Sequence, residues 1–222
     1  MIEEIIVKEL ITYENPPVGG DLSIIDPYDG CSFKCPYCFQ LGDQEWNKNI
    51  YVKTNIHQLI KGELENWDRN EVIYIGSRCD PYMPIESQYE LTRKCLIELD
   101  NLKIPCMVVT KSDTEIILRD LDIIKNYSVG FILLLGLSNL NQLRSSRNSW
   151  EIKNIDLANR LHSMGIKVWT FITPILPGIT NIIKMVENLN TDIPVFLDKV
   201  RLEKGSNSAK SMLAYIEKII LI

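Results

Sequence analysis

Two hydrophobic periodicities alternate along this chain. Runs rich in Val, Ile, Leu and Tyr at 22–25, 71–75, 105–110, 129–137, 166–172 and 195–200 are each followed by a stretch with apolar residues at helical spacing. Strands separated by helices of about 10–15 residues imply βαβ units and a parallel sheet. Thr54 or Asn55 is expected to cap the first helix, which carries Ile56, Leu59, Ile60, Leu64 and Trp67. Further helices are expected at 88–102, 114–127, 149–164, 181–189 and 209–222, the fourth helix closing on Gly165, a natural residue just past a helix end. Residues 1–20 read as an irregular lead-in, a short apolar-alternating stretch and then Asn15-Pro16-Pro17-Val18-Gly19-Gly20. Without an internal repeat or linker, residues 1–222 read as one α/β domain, long enough to bury a core.

The first strand runs into Asp26-Pro27-Tyr28-Asp29-Gly30-Cys31-Ser32-Phe33-Lys34-Cys35-Pro36-Tyr37-Cys38-Phe39. Its three thiols can converge on one small inorganic centre if the backbone curls, and Gly30 and Pro36 supply the freedom and the constraint for that curl. A four-iron cluster normally takes four thiolates, so three leave one iron open to a substrate or cofactor. Zinc is the other reading. It needs a fourth ligand, from Cys79, Cys95, Cys106, His57 or His162, none of which forms a second paired knuckle. Six cysteines with three bunched do not resemble a secreted disulfide framework, and a reducing cytoplasm is the simpler home. The acidic N-terminus lacks a signal-peptide layout, and no stretch approaches the ~18 apolar residues of a membrane span. A net charge of −5 argues against nonspecific binding of nucleic acid, although Arg144, Arg147 and Lys153 lie near one another in sequence.

The cysteine spacing resembles that of the radical S-adenosylmethionine (SAM) superfamily. That resemblance implies a partial (βα)6 TIM-type barrel with the cysteine loop after its first strand. It further implies that Cys31, Cys35 and Cys38 each hold one iron of a [4Fe-4S] cluster, with SAM chelating the fourth. An electron from a donor such as flavodoxin or ferredoxin then breaks the S–C5′ bond, giving methionine and a 5′-deoxyadenosyl radical. Tyr37 is expected near the adenine, with Phe39 as a second ring. Oxygen sensitivity follows as an expectation.

Three further segments fall at strand ends, where parallel α/β folds gather ligands. They are Gly76-Ser77-Arg78-Cys79-Asp80-Pro81-Tyr82-Met83-Pro84-Ile85-Glu86, Thr110-Lys111-Ser112 and Thr173-Pro174-Ile175-Leu176-Pro177-Gly178. Together with Ile117-Leu118-Arg119-Asp120 they look like the spore photoproduct lyase-like branch, over about residues 20–180. The resemblance implies that Lys111 contacts the SAM carboxylate, that Ser77 and Asp80 lie beside its methionine or ribose, and that Thr173, Pro174 and Ile175 lie against the adenine or ribose. The plainer readings are a surface lysine, a turn aspartate before Pro81 and a proline-shaped strand exit.

Cys79 stands two positions from Ser77, where the lyases carry a hydrogen-atom-donating cysteine. Strand parity would still point it to the same side as Ser77, so it is a candidate donor; the plainer reading is a buried structural cysteine. Cys95, on an apolar helix face, and Cys106, within a strand, read as packing residues. The chain departs from the lyases at the apolar fourth strand, at Lys153-Asn154 where an arginine is common, and at Phe39 in place of a tyrosine. With the acidic charge, these departures argue against thymine-dimer repair. The expected activity is radical generation from SAM and hydrogen abstraction from a small molecule or peptide. The alternatives are a lyase-like DNA repair enzyme and a metal-binding module without catalysis.

Overall fold

A computed structural model describes residues 1–14, 21–38, 40, 46, 48–112, 115–137, 153–177 and 180–220. The central sheet has seven strands. Six of them, β3 (Leu22–Ile25), β6 (Ile73–Ile75), β7 (Cys106–Thr110), β8 (Phe131–Leu137), β9 (Val168–Ile175) and β10 (Val195–Lys199), are parallel and adjacent in sequence order. The parallel sheet is what the alternation implies, and its six βα units are the open (βα)6 arrangement that the resemblance implies. The helical segments between them are α1 (Ile56–Leu64), α2 (Glu86–Tyr89), α3 (Leu91–Asn101), α4 (Ile116–Arg119), α5 (Leu121–Ile124), α6 (Lys153–Ser163) and α7 (Ile182–Glu187), and α8 (Asn207–Ile220) follows β10.

The lead-in is not irregular where it is described. β1 (Ile2–Ile5) and β2 (Thr12–Glu14) are strands. β2 runs antiparallel along β3, while β1 joins β5 (Ile50–Lys53) and β4 (Tyr28–Asp29) in a second, three-stranded sheet. Three of the four β1 residues are exposed, so no apolar face marks it. Residues 15–20, Phe39, Arg144 and Arg147, and the first residues of the helix expected at 149–164, lie outside the described residues.

The core forms where the sequence alternates most regularly. Ile73 and Ile75 of β6, Cys106 and Val108 of β7, and Leu133 and Leu135 of β8 meet Ile56, Ile60 and Leu64 of α1 and Cys95, Leu96 and Leu99 of α3. Burying each such aliphatic side chain contributes about 1.5–3 kcal/mol. Cys95 and Cys106 are therefore packing residues, at 0% and 1% exposure.

Two helices break where the sequence reads as continuous. Glu90 adopts a left-handed conformation (φ 54°) between α2 and α3, and Asp120 separates α4 from α5. Asn55 precedes α1 without capping it through its side chain; its amide instead clasps both backbone groups of Val7, at 2.9 and 2.8 Å. Gly165 (φ 82°) closes α6 as expected, because only glycine adopts that geometry freely.

Candidate active site

The carboxyl ends of β3, β6, β7 and β9 converge around the cysteine loop. Gly30 (φ 90°) begins the curl, and a β-carbon there would stand 2.1 Å from the Asn49 carbonyl oxygen, so the loop closes against the strand that follows it. Lys34 is left-handed (φ 50°), and the Cys38 N–H donates to the Cys35 carbonyl at 3.1 Å, so Pro36 and Tyr37 form a turn. None of Cys31, Cys35 and Cys38 is in a disulfide, and each is half-buried. Burial pushes the Cys31 thiol up to about 11, with the backbone N–H groups of Phe33 and Asp80 opposing the shift.

Lys111 extends from the end of β7 toward that loop. Its Nζ lies 2.6 Å from the Tyr37 hydroxyl, 4.5 Å from the centre of the same ring and 3.4 Å from the Thr173 carbonyl oxygen. Burial lowers its pKa, while Cys35, Asp80, Cys38 and Cys31 pull it back up. The structure thus brings Lys111 against Tyr37 of the cysteine loop.

Asp80 supports this cation from behind. One carboxylate oxygen accepts from the Thr110 hydroxyl at 2.7 Å and the Tyr82 N–H at 2.9 Å, the other from the Lys111 N–H at 2.6 Å. This is the turn geometry of an aspartate before proline, and it fixes the end of β7. Asn154 of α6 donates to the Lys111 carbonyl at 3.1 Å, so the position where an arginine was expected does reach the site.

Residues of the other segments take different places. β9 continues to Ile175, and its strict alternation buries Pro174 on the face opposite to Thr173 and Ile175. Ser77 donates to Glu14 of β2 at 3.4 Å. The strand geometry that parity needs does not extend to Cys79: β6 ends at Ile75 and Gly76 has a φ of 85°. The Cys79 thiol is 3% exposed and donates to the Tyr28 carbonyl at 3.1 Å, packed with Tyr28, Trp46, Val52, Met83 and Leu91 behind the cysteine loop.

Sequence reasoning missed two further contacts. Asp26, at the end of β3, is buried beside Cys79, and burial raises its pKa to about 6. Ser208 at the start of α8 donates to the Cys38 carbonyl at 2.7 Å, while Met212 of that helix joins Leu176 in a small cluster against Tyr37. Nothing in the spacing of α8 announces either contact, since Cys38 lies 170 positions earlier.

A sequence model described as "Radical SAM superfamily" matches residues 25–189, from the end of β3 to the residues after α7. The chain belongs to the radical SAM superfamily. Reductive cleavage of SAM at a [4Fe-4S] cluster is the chemistry this superfamily shares. An uncharacterized protein of Methanocaldococcus jannaschii is 31% identical over 190 residues, 82% of this chain and 71% of its own length. An uncharacterized protein of Mycobacterium tuberculosis is 26% identical over 174 residues, 71% of this chain and half of its own.

Among solved structures, spore photoproduct lyase complexed with dinucleoside spore photoproduct superposes with a TM-score of 0.69 at 14% identity, over 98% of this chain and 66% of that one. Streptococcus suis SuiB bound to SAM gives 0.55 at 16% identity, over 89% and 47%. These likenesses establish the radical SAM fold. This chain spans about two thirds of the lyase and under half of SuiB.

The residues present suit the cluster of a radical SAM protein. Among the described residues, no three His, Cys, Asp or Glu side chains are grouped to hold one metal ion. Three half-buried thiols outside any disulfide, on one curled loop, match such a cluster in number and residue type. Among the described residues, no helix is long and apolar enough to cross a membrane.

Proposed function

We propose that Cys31, Cys35 and Cys38 hold a [4Fe-4S] cluster whose open iron binds SAM, and that the protein abstracts hydrogen from a small molecule or peptide. When bound, the cluster and SAM supply the electron transfer and the homolytic bond cleavage; the protein binds and orients them and excludes water and oxygen. The observation that carries this reading is the Lys111 ammonium at the end of β7, held 2.6 Å from the hydroxyl of Tyr37 within the cysteine loop.

In this reading Lys111 meets the SAM carboxylate, exchanging the Tyr37 hydroxyl and the Thr173 carbonyl for a charged acceptor. Asp80 holds the Lys111 backbone at the correct depth and lies beside the methionine portion. Tyr37 presents its ring toward the adenine, backed by Leu176 and Met212. Thr173 and Ile175 line the ribose side, with Pro174 setting their backbone, and Ser77 borders the mouth. A low-potential protein such as flavodoxin or ferredoxin is the electron donor. The Cys79 thiol, held by the Tyr28 carbonyl, supports the loop in this reading, and a hydrogen-donor role would require it to leave that bond.

Reduction with dithionite in the presence of SAM tests the proposal. Methionine and 5′-deoxyadenosine are expected from wild type and not from a Cys35→Ala variant. Equal yields from both would refute the assignment of the thiols.

A further inference from the structure

Residues 79–86 are not only a strand end. The Cys79 thiol donates to the Tyr28 carbonyl at 3.1 Å, the Asp80 N–H faces the Cys31 sulfur, and the Met83 sulfur accepts the Ser32 N–H at 3.2 Å. The segment ends at Glu86, which is fully buried. One Glu86 oxygen accepts from the Tyr28 hydroxyl at 2.5 Å and the Thr92 N–H at 3.0 Å. The other accepts from the Arg93 N–H at 3.2 Å and the Arg119 guanidinium at 2.8 Å. These donors fill the lone pairs that a carboxylate offers, so the side chain has no spare acceptor and no freedom to turn.

The network extends away from the loop. Arg119 also grips Asp120, at 2.8 and 3.1 Å, and Asp120 accepts from the Tyr82 hydroxyl at 3.1 Å. Arg93 bonds Asp120 and closes on the exposed Asp122 at 2.7 and 2.8 Å. Tyr28 is thus the point at which this lattice touches the cysteine loop, three residues before Cys31, with its backbone and its ring tip both held.

We propose that Glu86 and Tyr28 are positioning residues that clamp the cysteine loop onto residues 79–86 and preset Cys31 for the cluster. The inference rests on the cluster reading above and extends it to residues that touch neither iron nor SAM. Nothing covalent is involved; the clamp acts by holding the loop in its loaded geometry before and after iron binds.

The test compares two buried tyrosines of the same lattice. Tyr28→Phe removes the hydroxyl that reaches the loop side, and Tyr82→Phe removes an equivalent tyrosine–carboxylate bond that does not. Anaerobically reconstituted proteins are challenged with a ferrous-iron chelator, and the apoproteins are melted in parallel. A hydrogen bond to a charged acceptor corresponds to about a tenfold change or more in an equilibrium or rate. Tyr28→Phe is therefore expected to release iron on the order of tenfold faster than wild type. Tyr82→Phe should lower the melting temperature while releasing iron at the wild-type rate. Equal acceleration in both variants, or none in Tyr28→Phe, overturns the clamp. Should Tyr28→Phe fail to fold, Met83→Leu removes the sulfur under Ser32 at nearly constant volume and must speed release for the clamp to stand. Wild type that loads no four-iron cluster would instead overturn the cluster reading, a result distinct from failure of the clamp alone.

Discussion

Asp26→Asn isolates the electrostatic strain beneath the cysteine loop. The carboxyl is 3% exposed, and its described contacts are weak: the Arg78 N–H at 3.4 Å and the Cys79 thiol at 3.8 Å. Burial raises its pKa from 3.8 to about 6, with Lys53 and Arg78 opposing and Glu14 reinforcing. The folded-state value exceeds the unfolded one, so folding is favoured while the group is protonated. That contribution is complete below pH 3.8 and is lost as pH rises through about 6. A shift from 3.8 to about 6 corresponds to about 3 kcal/mol.

Asparagine keeps an acceptor toward both donors and cannot ionise, so it escapes the loss. In denaturant titrations of the apoprotein, Asp26→Asn is expected to exceed wild type by up to about 3 kcal/mol at pH 7.5. Near pH 4 the two should converge. A variant less stable than wild type at pH 7.5 would show that Lys53 and Arg78 fully compensate the buried charge, and would refute the reasoning.

Three further perturbations follow from the geometry. Lys111→Met should weaken SAM binding to the loaded protein by about tenfold or more, by calorimetry under nitrogen, since a charged hydrogen bond is removed; unchanged affinity would place the SAM carboxylate elsewhere. Gly30→Ala should lose about 1–3 kcal/mol through its backbone conformation alone and load little iron, because its methyl meets the Asn49 carbonyl; full iron content would contradict the loop geometry. Cys79→Ala should destabilise the apoprotein by about 1–2 kcal/mol through lost packing and the unpaired Tyr28 carbonyl, with SAM cleavage close to wild type. An unchanged apoprotein stability would contradict the packing role.

The parts of this molecule that follow from short-range patterns were legible in the sequence. The six parallel strands, the curl at Gly30, the helix end at Gly165 and the lysine after β7 each depend on a few adjacent residues. Other features needed the third dimension. Glu86 lies 58 positions from Tyr28, and Ser208 lies 170 from Cys38, distances across which spacing carries no signal. Glu86, Arg119 and Asp120 were visible as a motif, yet their residue types fit a binding surface as well as a buried lattice. Parity does not reach Cys79 for a local reason, since β6 ends at Ile75 and Gly76 (φ 85°) follows at once, so alternation cannot be continued through it. β1 is exposed at three of its four positions and β4 lies inside the cysteine loop, so neither carries the apolar run that marks β3 and β6.

The most direct test of the central assignment is iron and acid-labile sulfide analysis, with electron paramagnetic resonance, on protein prepared without oxygen and reduced with and without SAM. About four irons and four sulfides per chain are expected, with a reduced-cluster signal that changes when SAM is added and both lost in Cys31→Ala. Stoichiometric zinc, or a cluster whose signal ignores SAM, would contradict the account.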